Sequence, residues 1–291
     1  MIHLVSKFEQ PWRTEAYIAA ELAKHRPITR WDWASGEFPR KVAPGDVILT
    51  SIPAILPHSQ VVAWKSQGAK LVAWIFDWIW ALGRREAAYL PNLKLFDLVF
   101  STDGFNSSRW DKHGIPRRYL SQAAPREERL LASCDCRHDI SFVGSVYTDA
   151  RRLLLGQLRR EFRVWHYEGK PRIWGERLAR CYRASRVALG ENYRNDIPGY
   201  WSSRVYLALA TGSFLITPRV EGLDQSFTDG EHLVMYNGTY DDLAVKLRHW
   251  LPLEEERRKI GLAGYEHTMK HHTYANRVRE LIVVLEGKGI L

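Results

Sequence analysis

Short apolar segments alternate with amphipathic helical segments along this chain, and this alternation constrains the fold more than any other feature. In the first part, buried strands are predicted at 2–5, 46–50, 70–76 and 97–102, with a helix over 14–24. The segment 70–76 is almost entirely apolar, as parallel strands buried on both faces tend to be. The pattern therefore predicts a parallel sheet with helices packed on its faces.

The alternation stops at a polar, charged stretch and then starts again. We predict a linker at 126–137, a first domain at 1–125 and a second domain at 138–291. The second domain contains predicted strands at 139–143, 162–167, 186–189 and 213–217, and predicted helices at 149–160, 174–183, 202–210, 241–250, 253–270 and 274–286. The fold class is thus α/β, with two Rossmann-like domains facing a cleft and C-terminal helices closing back. Ligands of such sheets bind beyond the carboxyl ends of the strands, which places the expected site in that cleft.

Composition limits the class of protein further. The chain has 291 residues, 45% of them hydrophobic, which is enough for two cores without disulfides or a structural metal. Its three cysteines, Cys134, Cys136 and Cys181, form no disulfide framework and predict reduced thiols in a cytoplasmic protein. No charged leader precedes an apolar run, so no signal peptide is expected. The most apolar stretch, 71–82, contains Asp77 and is too short to cross a membrane.

The positive charge is concentrated in one region. The net charge is +9, and residues 151–186 contain eleven basic and only three acidic residues. Two predicted helices carry the arginines Arg151, Arg152, Arg159, Arg160, Arg177, Arg180 and Arg183. Such a cluster could follow the phosphates of a nucleic acid, or it could be an ordinary solvated surface. Similarly, Trp31, Trp33 and the tryptophans between 74 and 80 could stack on bases or sugars, or belong to the core.

The segment 199–217 is the most informative part of the sequence. Ser202 and Ser203 could cap a helix whose amino-terminal amides bind a diphosphate, and Arg204 would add a charged fork. An ordinary capped helix explains the same residues equally well.

Several motifs in the second half, in a characteristic order, resemble the signature of group 1 glycosyltransferases, in the branch similar to CgeB spore-maturation proteins. They are RVY at 204–206, ALA at 208–210, GSFLIT at 212–217, GL at 222–223, Phe227, GEHLV at 230–234 and HTYANRV at 272–278. DISFVG at 139–144 is similar to the family's opening strand of its second domain. The resemblance covers about residues 139–280.

The resemblance implies a GT-B fold and a metal-independent hexosyltransferase that takes a nucleoside-diphosphate sugar, expected to be UDP-linked, as co-substrate with no tightly bound cofactor. The first domain is then the acceptor side, and the second binds the donor. Gly144, Ser145, Ser202, Ser203 and Arg204 are expected at the diphosphate. The residues implied near the nucleotide are Tyr167, Gly169, Asn192 and Tyr193.

One position departs from the family pattern. Leu207 stands where many relatives have a glutamate thought to hold the donor ribose, and Glu191 is a candidate substitute. No Asp-x-Asp motif follows a strand, so we expect arginines and a helix terminus, rather than a metal, to stabilise the leaving group. His267 and His271 have the spacing of metal ligands, but no third ligand is evident, and surface histidines are the simpler interpretation.

An inverting transfer needs a general base, and two aspartates are candidates. Asp77 follows the apolar strand at 70–76, where desolvation among aromatic rings would make its carboxylate a stronger base. Asp103 follows the strand at 97–102 and is the second candidate. Each could equally be a structural carboxylate that caps the next helix.

The acceptor is left open by the sequence. The basic cluster is compatible with a hydroxymethylated base in DNA, which would have to be flipped out of the duplex. The first alternative is a protein, spore-coat or cell-surface glycan acceptor. Because of Leu207, a catalytically silent nucleotide-sugar or DNA-binding module is the second alternative.

Overall fold

The computed structural model describes residues 1–8, 13–81, 83–105, 107–125, 137–168 and 173–291. The chain divides into two compact units. Unit 1 comprises Met1–Gln122 and Tyr274–Leu291, and unit 2 comprises Ala123–Thr273. Of the predicted linker, residues 126–136 lie outside the described ranges.

Unit 1 is built around a sheet of six parallel strands in the order β2-β1-β3-β4-β5-β6. These strands are β1 Ile2–Ser6, β2 Ile28–Asp32, β3 Val47–Thr50, β4 Lys70–Ile75, β5 Leu98–Ser101 and β6 Arg117–Tyr119. Its helices are α1 Thr14–Leu22, α2 His58–Ser66, α3 Gly83–Leu93, α4 Ser108–Lys112 and α10 Tyr274–Gly287. The four strands predicted from sequence are the four inner strands. The two edge strands, β2 and β6, were missed because they are only partly buried and contain arginines.

The final helix α10 belongs to unit 1, although the sequence places it in a domain spanning 138–291. The ring of Tyr274 stacks on Tyr17 of α1 at 5.9 Å and meets Trp74 of β4 edge-on at 6.3 Å. Arg277 Nε donates to Ser121 Oγ at 3.0 Å. Trp74 is only 1% exposed, so it is a core residue rather than a stacking platform.

Unit 2 contains a second parallel sheet, of five strands in the order β11-β10-β9-β7-β8. Its strands are β7 His138–Val143, β8 Val164–Tyr167, β9 Ser185–Leu189, β10 Leu215–Pro218 and β11 Val234–Tyr236. Its helices are α5 Asp149–Glu161, α6 Gly175–Arg183, α7 Arg204–Leu209, α8 Tyr240–Trp250 and α9 Glu254–His271. Only β11, a three-residue edge strand, was not predicted. The two parallel sheets with helices confirm the predicted fold class.

Helix α9 approaches its neighbours closely through two glycines. A Cβ on Gly261 would lie 2.6 Å from the carbonyl oxygen of Gly212, and a Cβ on Gly264 would lie 2.8 Å from Leu209 Cδ2. A side chain at Gly261 would therefore push the helix away from the backbone that follows α7, and one at Gly264 would push it away from Leu209 and His232. Within the described ranges, no helix is both long enough and apolar enough to span a membrane.

Candidate functional site

The best-defined polar site lies at the carboxyl ends of β7 and β9 in unit 2, the edge where parallel sheets bind ligands. Arg204, the first residue of α7, joins the two loops that leave these strands. Its Nε donates to the carbonyl oxygen of Val143 at 2.7 Å, and its Nη1 donates to the carbonyl oxygen of Glu191. This guanidinium therefore fixes the position of one loop relative to the other.

A second arginine lies beside the first. The guanidinium carbons of Arg204 and Arg151 lie 4.8 Å and 5.4 Å from the ring centroid of Phe142. Arg151 is buried, its Nη1 donates to the carbonyl oxygen of Ser145 at 2.7 Å, and its Nε has no hydrogen-bond partner among the described residues. Burial lowers the pKa of Arg204, but a guanidinium keeps its proton at any physiological pH. Two permanent cations in so small a region attract a multiply charged anion.

Gly144 leaves the space that Arg204 occupies. A Cβ at this position would lie 3.2 Å from Arg204 Cζ and 3.2 Å from Phe142 Cζ, and it would also meet Arg204 Nη2. The φ of Gly144 is 155°, which side-chain-bearing residues rarely adopt. The close approach of Arg204 thus gives a specific steric reason for glycine at position 144, whereas its predicted place at the diphosphate stays a prediction.

Glu191 contributes a carboxyl group to the same site. Its Oε2 accepts a hydrogen bond from the hydroxyl of Tyr236 in β11 at 2.8 Å. Burial raises the pKa of Glu191, although the Tyr236 hydrogen bond and the charges of Arg151 and Arg204 oppose this effect. Burial and the neighbouring carboxylate raise the pKa of Tyr236 well above its usual value. Tyr236 was not singled out as a site residue; its place in GEHLVMY at 230–236 was the available signal.

Asn192 has an unused hydrogen-bond donor. It is 3% exposed, and its Oδ1 accepts from the backbone N–H of Ser202 at 2.9 Å. Its Nδ2 is buried and bonds to none of the residues that the structure describes. Because an unsatisfied buried amide is costly, Nδ2 is available to a bound ligand.

The two serines before α7 have different roles. Ser202 Oγ accepts from the N–H of Arg204 at 3.2 Å and from its Nη1 at 3.0 Å. Ser203 takes up a helical backbone conformation and makes no side-chain cap bond, so its predicted capping role is wrong. Ser202 therefore supports Arg204 directly. Since α7 has only six residues, its amino terminus is not by itself an anion site.

Tyr167 and Tyr193 lie on neighbouring loops of this edge. The backbone N–H of Gly144 donates to the carbonyl oxygen of Tyr167 at 3.0 Å, which brings the end of β8 to the site. Tyr193 is 39% exposed, and its ring lies 5.6 Å from that of Tyr147. Gly169, also predicted at the nucleotide, lies outside the described residues.

The seven arginines of the predicted basic surface do not act as one face. Arg151 is buried in the site described above, Arg152 pairs with Asp149, and Arg180 pairs with Glu176 at 2.6 Å. Arg183 Nη1 donates to the carbonyl oxygen of Gly212 at 2.9 Å. Arg159, Arg160 and Arg177 are exposed. Two of these seven charges are thus already paired with carboxylates within unit 2.

The two predicted bases in unit 1 have opposite environments. Asp77 is 67% exposed and lies 3.9 Å from Arg85, so the predicted desolvation of this carboxylate is wrong. The cause is that β4 ends at Ile75 and the chain turns outward before Asp77. Its catalytic role stays a prediction.

Asp103 is fully buried by its neighbours. It accepts hydrogen bonds from Trp80 Nε1 at 2.8 Å and Ser101 Oγ at 2.5 Å, and it pairs with Arg117 at 3.4 Å. Burial raises the pKa of Asp103, and these partners oppose the rise. With its carboxylate occupied in this way, Asp103 has the geometry of a structural group.

The histidines of α9 join a larger cluster. His267 stacks on His232 at 4.0 Å, and both His267 and His272 donate from Nε2 to the carbonyl oxygen of Ser226, at 2.8 Å and 3.1 Å. His271 lies 4.8 Å from His267. In the parts of the chain that the structure covers, no group of three or more candidate ligands is arranged to hold a metal.

Two parallel-sheet Rossmann-like units define the GT-B class of glycosyltransferase folds. Solved structures with this fold cover nearly the whole chain. HepE from Anabaena, solved with UDP and glucose, has a TM-score of 0.68 at 10% identity and covers 99% of this chain and 100% of its own. Sucrose-phosphate synthase from Thermosynechococcus elongatus has a TM-score of 0.65 at 13% identity, with 98% of both chains covered.

A glycosyltransferase from Rickettsia africae has a TM-score of 0.60 at 9% identity, again with 98% of both chains covered. The chain belongs to the family described as "Glycosyl transferase-like", whose family model matches residues 117–283. None of the curated proteins matches it. The predicted glycosyltransferase family is thereby confirmed, whereas the CgeB-like branch stays a prediction.

Proposed function

We propose that this protein transfers a hexose from a nucleoside-diphosphate sugar to a hydroxyl acceptor. The observation that carries the proposal is the pair of guanidinium groups, Arg204 and Arg151, against Phe142 at the carboxyl edge of the second sheet. A diphosphate offers acceptor oxygens to such forked donors and gains charge as it leaves the sugar. UDP is our choice of nucleotide because the similar HepE was solved with UDP, with UDP-glucose, and with UDP and glucose.

Other residues at the same edge of the second sheet would bind the rest of the donor. Glu191 would hold the ribose hydroxyls, since Leu207 packs partly buried against core residues and cannot accept hydrogen bonds. Asn192 would use its unsatisfied Nδ2 on the nucleotide, and Ser145 and Tyr193 would complete the pocket. With two arginines at the diphosphate, we propose that the transfer needs no metal.

For the acceptor, no observation favours DNA over a glycan or a protein. Three of the seven arginines that motivated a DNA acceptor are buried or paired with carboxylates of their own helix. The acceptor stays a prediction. Release of UDP that increases with hydroxymethylated DNA, and not with unmodified DNA, would favour the DNA acceptor. A response only to glycans or proteins would exclude it.

Calorimetric titration with UDP tests the donor site. Arg204→Ala and Arg151→Ala should each weaken UDP binding by about 10- to 100-fold, the effect of losing a charge-assisted hydrogen-bonded partner. Arg258→Ala is the matched control, because Arg258 is exposed on α9 and pairs only at the surface with Glu254. UDP release from UDP-glucose, measured with and without EDTA, then tests turnover and its independence of metal. Wild-type protein that fails to bind UDP or any other nucleoside diphosphate would contradict the proposal.

A further inference from the structure

Helix α5 has one face that packs into unit 2 and one face that is exposed to solvent. Arg151, Leu155 and Leu158 lie on the packed face and are buried. The exposed face surrounds an open groove with a volume of about 360 Å³. The residues that line this groove recur at the spacing of one helix face, and they are Asp149, Arg152, Leu153, Gly156, Gln157 and Arg160.

A projecting apolar side chain and a missing side chain lie next to each other at the centre of this face. Leu153 is 65% exposed, whereas Leu155 and Leu158 of the same helix are buried. One turn further along, Gly156 has no side chain, and a Cβ there would meet nothing within 4 Å. Helices pack by placing a side chain of one helix into a gap on the surface of the other. The exposed face of α5 carries both parts of such a contact.

Opposite charges stand at the two ends of the same face. The side chain of Asp149, at the amino-terminal end, is 96% exposed and pairs with Arg152 one turn away. Arg160, at the carboxyl-terminal end, is exposed and forms no ion pair with any residue that the structure describes. The face is therefore negative at its beginning, apolar at its centre and positive at its end.

This face is complementary to itself when two copies of α5 lie antiparallel. A two-fold axis that passes midway between Leu153 and Gly156 places the leucine of each copy opposite the glycine of the other. The same axis lies midway between Asp149 and Arg160, so that each aspartate faces an arginine of the other copy. It also lies midway between Arg152 and Gln157, whose amide oxygen can accept from a guanidinium. Because the contact is symmetric, every pair is formed twice.

We propose that the exposed face of α5 is a homodimer interface, in which two copies of this chain pack antiparallel about a two-fold axis. Leu153 of each copy fills the groove over Gly156 of the other, and Asp149 of each copy pairs with Arg160 of the other. A contact of one 13-residue helix from each copy is smaller than the roughly 1,200 Å² of a stable interface, so the dimer is weak and forms at high protein concentration. This dimer does not depend on which donor or acceptor the protein uses.

Sedimentation velocity at increasing protein concentration tests whether the dimer forms. The mass of the wild-type species should rise from one copy towards two between about 1 µM and about 300 µM, the range expected for a weak interface. Leu153→Asp should stay a single copy throughout, because a charge replaces the side chain that fills the groove. Its melting temperature in dilute solution should match that of the wild type, since Leu153 is exposed. Wild-type protein that stays a single copy, or a Leu153→Asp variant that dimerises equally well, would overturn the proposal.

Charge reversal tests the antiparallel arrangement. Asp149→Arg places arginine opposite arginine at both ends of the contact, and Arg160→Asp places aspartate opposite aspartate. Each variant alone should therefore dimerise about 10-fold more weakly than the wild type, since two ion pairs become repulsive. An equimolar mixture of the two variants should dimerise about as well as the wild type, because each arginine then faces an aspartate of the other variant. A mixture that recovers no dimer would overturn the proposal.

Matched controls separate this contact from a general effect of charge. Glu254→Arg and Arg258→Asp change the charge by the same amounts in an exposed ion pair of α9, and they should dimerise like the wild type, alone or mixed. The same loss and recovery in this control pair would overturn the proposal. Binding to a labelled DNA duplex distinguishes the other use of an arginine-containing face. Tighter DNA binding by Asp149→Arg, with wild-type protein that stays a single copy, would assign the face to nucleic acid and overturn the dimer.

Discussion

The guanidinium of Arg204 lies where a side chain on residue 144 would begin: a Cβ on Gly144 would be 3.2 Å from Arg204 Cζ. The two residues are 60 positions apart in sequence but are neighbours at the carboxyl edge of the second sheet. Their proximity makes Gly144 a requirement for the arginine that joins the loops after β7 and β9.

Gly144→Ala should therefore weaken UDP binding by about tenfold or more. The new methyl group displaces Arg204 from Val143 and Glu191, and the backbone at this φ resists any side chain. Calorimetric titration with UDP measures the effect. Gly156→Ala is the matched control, because a Cβ on Gly156 in α5 meets nothing within 4 Å. An equal loss of UDP affinity in both variants would show that displacement of Arg204 is not the cause.

Glu191→Gln should stabilise unit 2 increasingly as the pH rises. The pKa of Glu191 is raised by burial in the folded protein, so the folded state holds the proton more tightly than the unfolded state. The contribution of Glu191 to the free energy of unfolding is therefore complete below the pKa of the unfolded chain, near 4.5. It is lost as the pH rises through the higher pKa of Glu191 in the folded protein. Thermal unfolding of wild-type and variant protein at pH 4.5 and pH 7.5 should show a difference in melting temperature that grows at the higher pH. A constant difference would contradict this.

Replacing the glycines of α9 should destabilise the protein. Gly261→Ala and Gly264→Ala should each cost about 1–3 kcal/mol, because each methyl group would meet the backbone or side chains of unit 2 at less than 3 Å. Urea unfolding measures the cost. Gly156→Ala should instead be neutral or stabilising by up to about 1 kcal/mol, since alanine is the better helix former in open space. A similar change in the free energy of unfolding at Gly261, Gly264 and Gly156 would argue against close packing of α9.

The histidine cluster should make the protein less stable in acid. Burial and the charge of His267 lower the pKa of His232, and burial and His267 also lower that of His271. Below about pH 6.5 the unfolded chain then binds more protons than the folded protein does. The contribution of these histidines to the free energy of unfolding is therefore present above that pH and is lost below it.

His232→Asn should reduce this acid sensitivity, because asparagine keeps an acceptor for the N–H of Thr228 but takes up no proton. Melting temperatures measured from pH 7.5 to pH 5.5 should fall less steeply for the variant. His25→Asn, at an exposed position of unit 1, is the control and should follow the wild-type slope. Parallel slopes for all three proteins would exclude the cluster as the cause.

The ion pair between Asp103 and Arg117 should be structural. Asp103→Ala leaves a buried guanidinium unpaired and should cost about 3–5 kcal/mol, whereas Asp77→Ala should change stability by less than about 1 kcal/mol because its ion pair is exposed. The double variant Asp103→Ala/Arg117→Met should recover part of the loss. Chemical denaturation of the three variants measures these differences. An Asp103→Ala variant as stable as the wild type would contradict the assignment.

The sequence by itself determined the class of fold and the inner strands of both sheets. Buried parallel strands are apolar along their whole length, so β1, β3, β4 and β5 could be predicted from local composition, whereas the edge strands β2, β6 and β11 are shorter or less buried and carry no such signal. That Gly144, Glu191 and Asn192 lie at one edge of the second sheet could be predicted, because parallel strands bring their carboxyl ends together. Their contact with a donor stays a prediction.

Tertiary structure alone decided which charged groups are buried and paired. Asp77 and Asp103 both follow an apolar strand, yet one is turned outward and the other is buried against Arg117. Arg151 and Arg152 are adjacent in α5, and one is buried against Phe142 while the other pairs at the surface. Likewise, α10 packs on Trp74 in unit 1, which no local pattern records. The physical reason is that hydrophobic periodicity is a property of neighbouring residues, whereas burial and charge pairing depend on contacts between residues far apart in the chain.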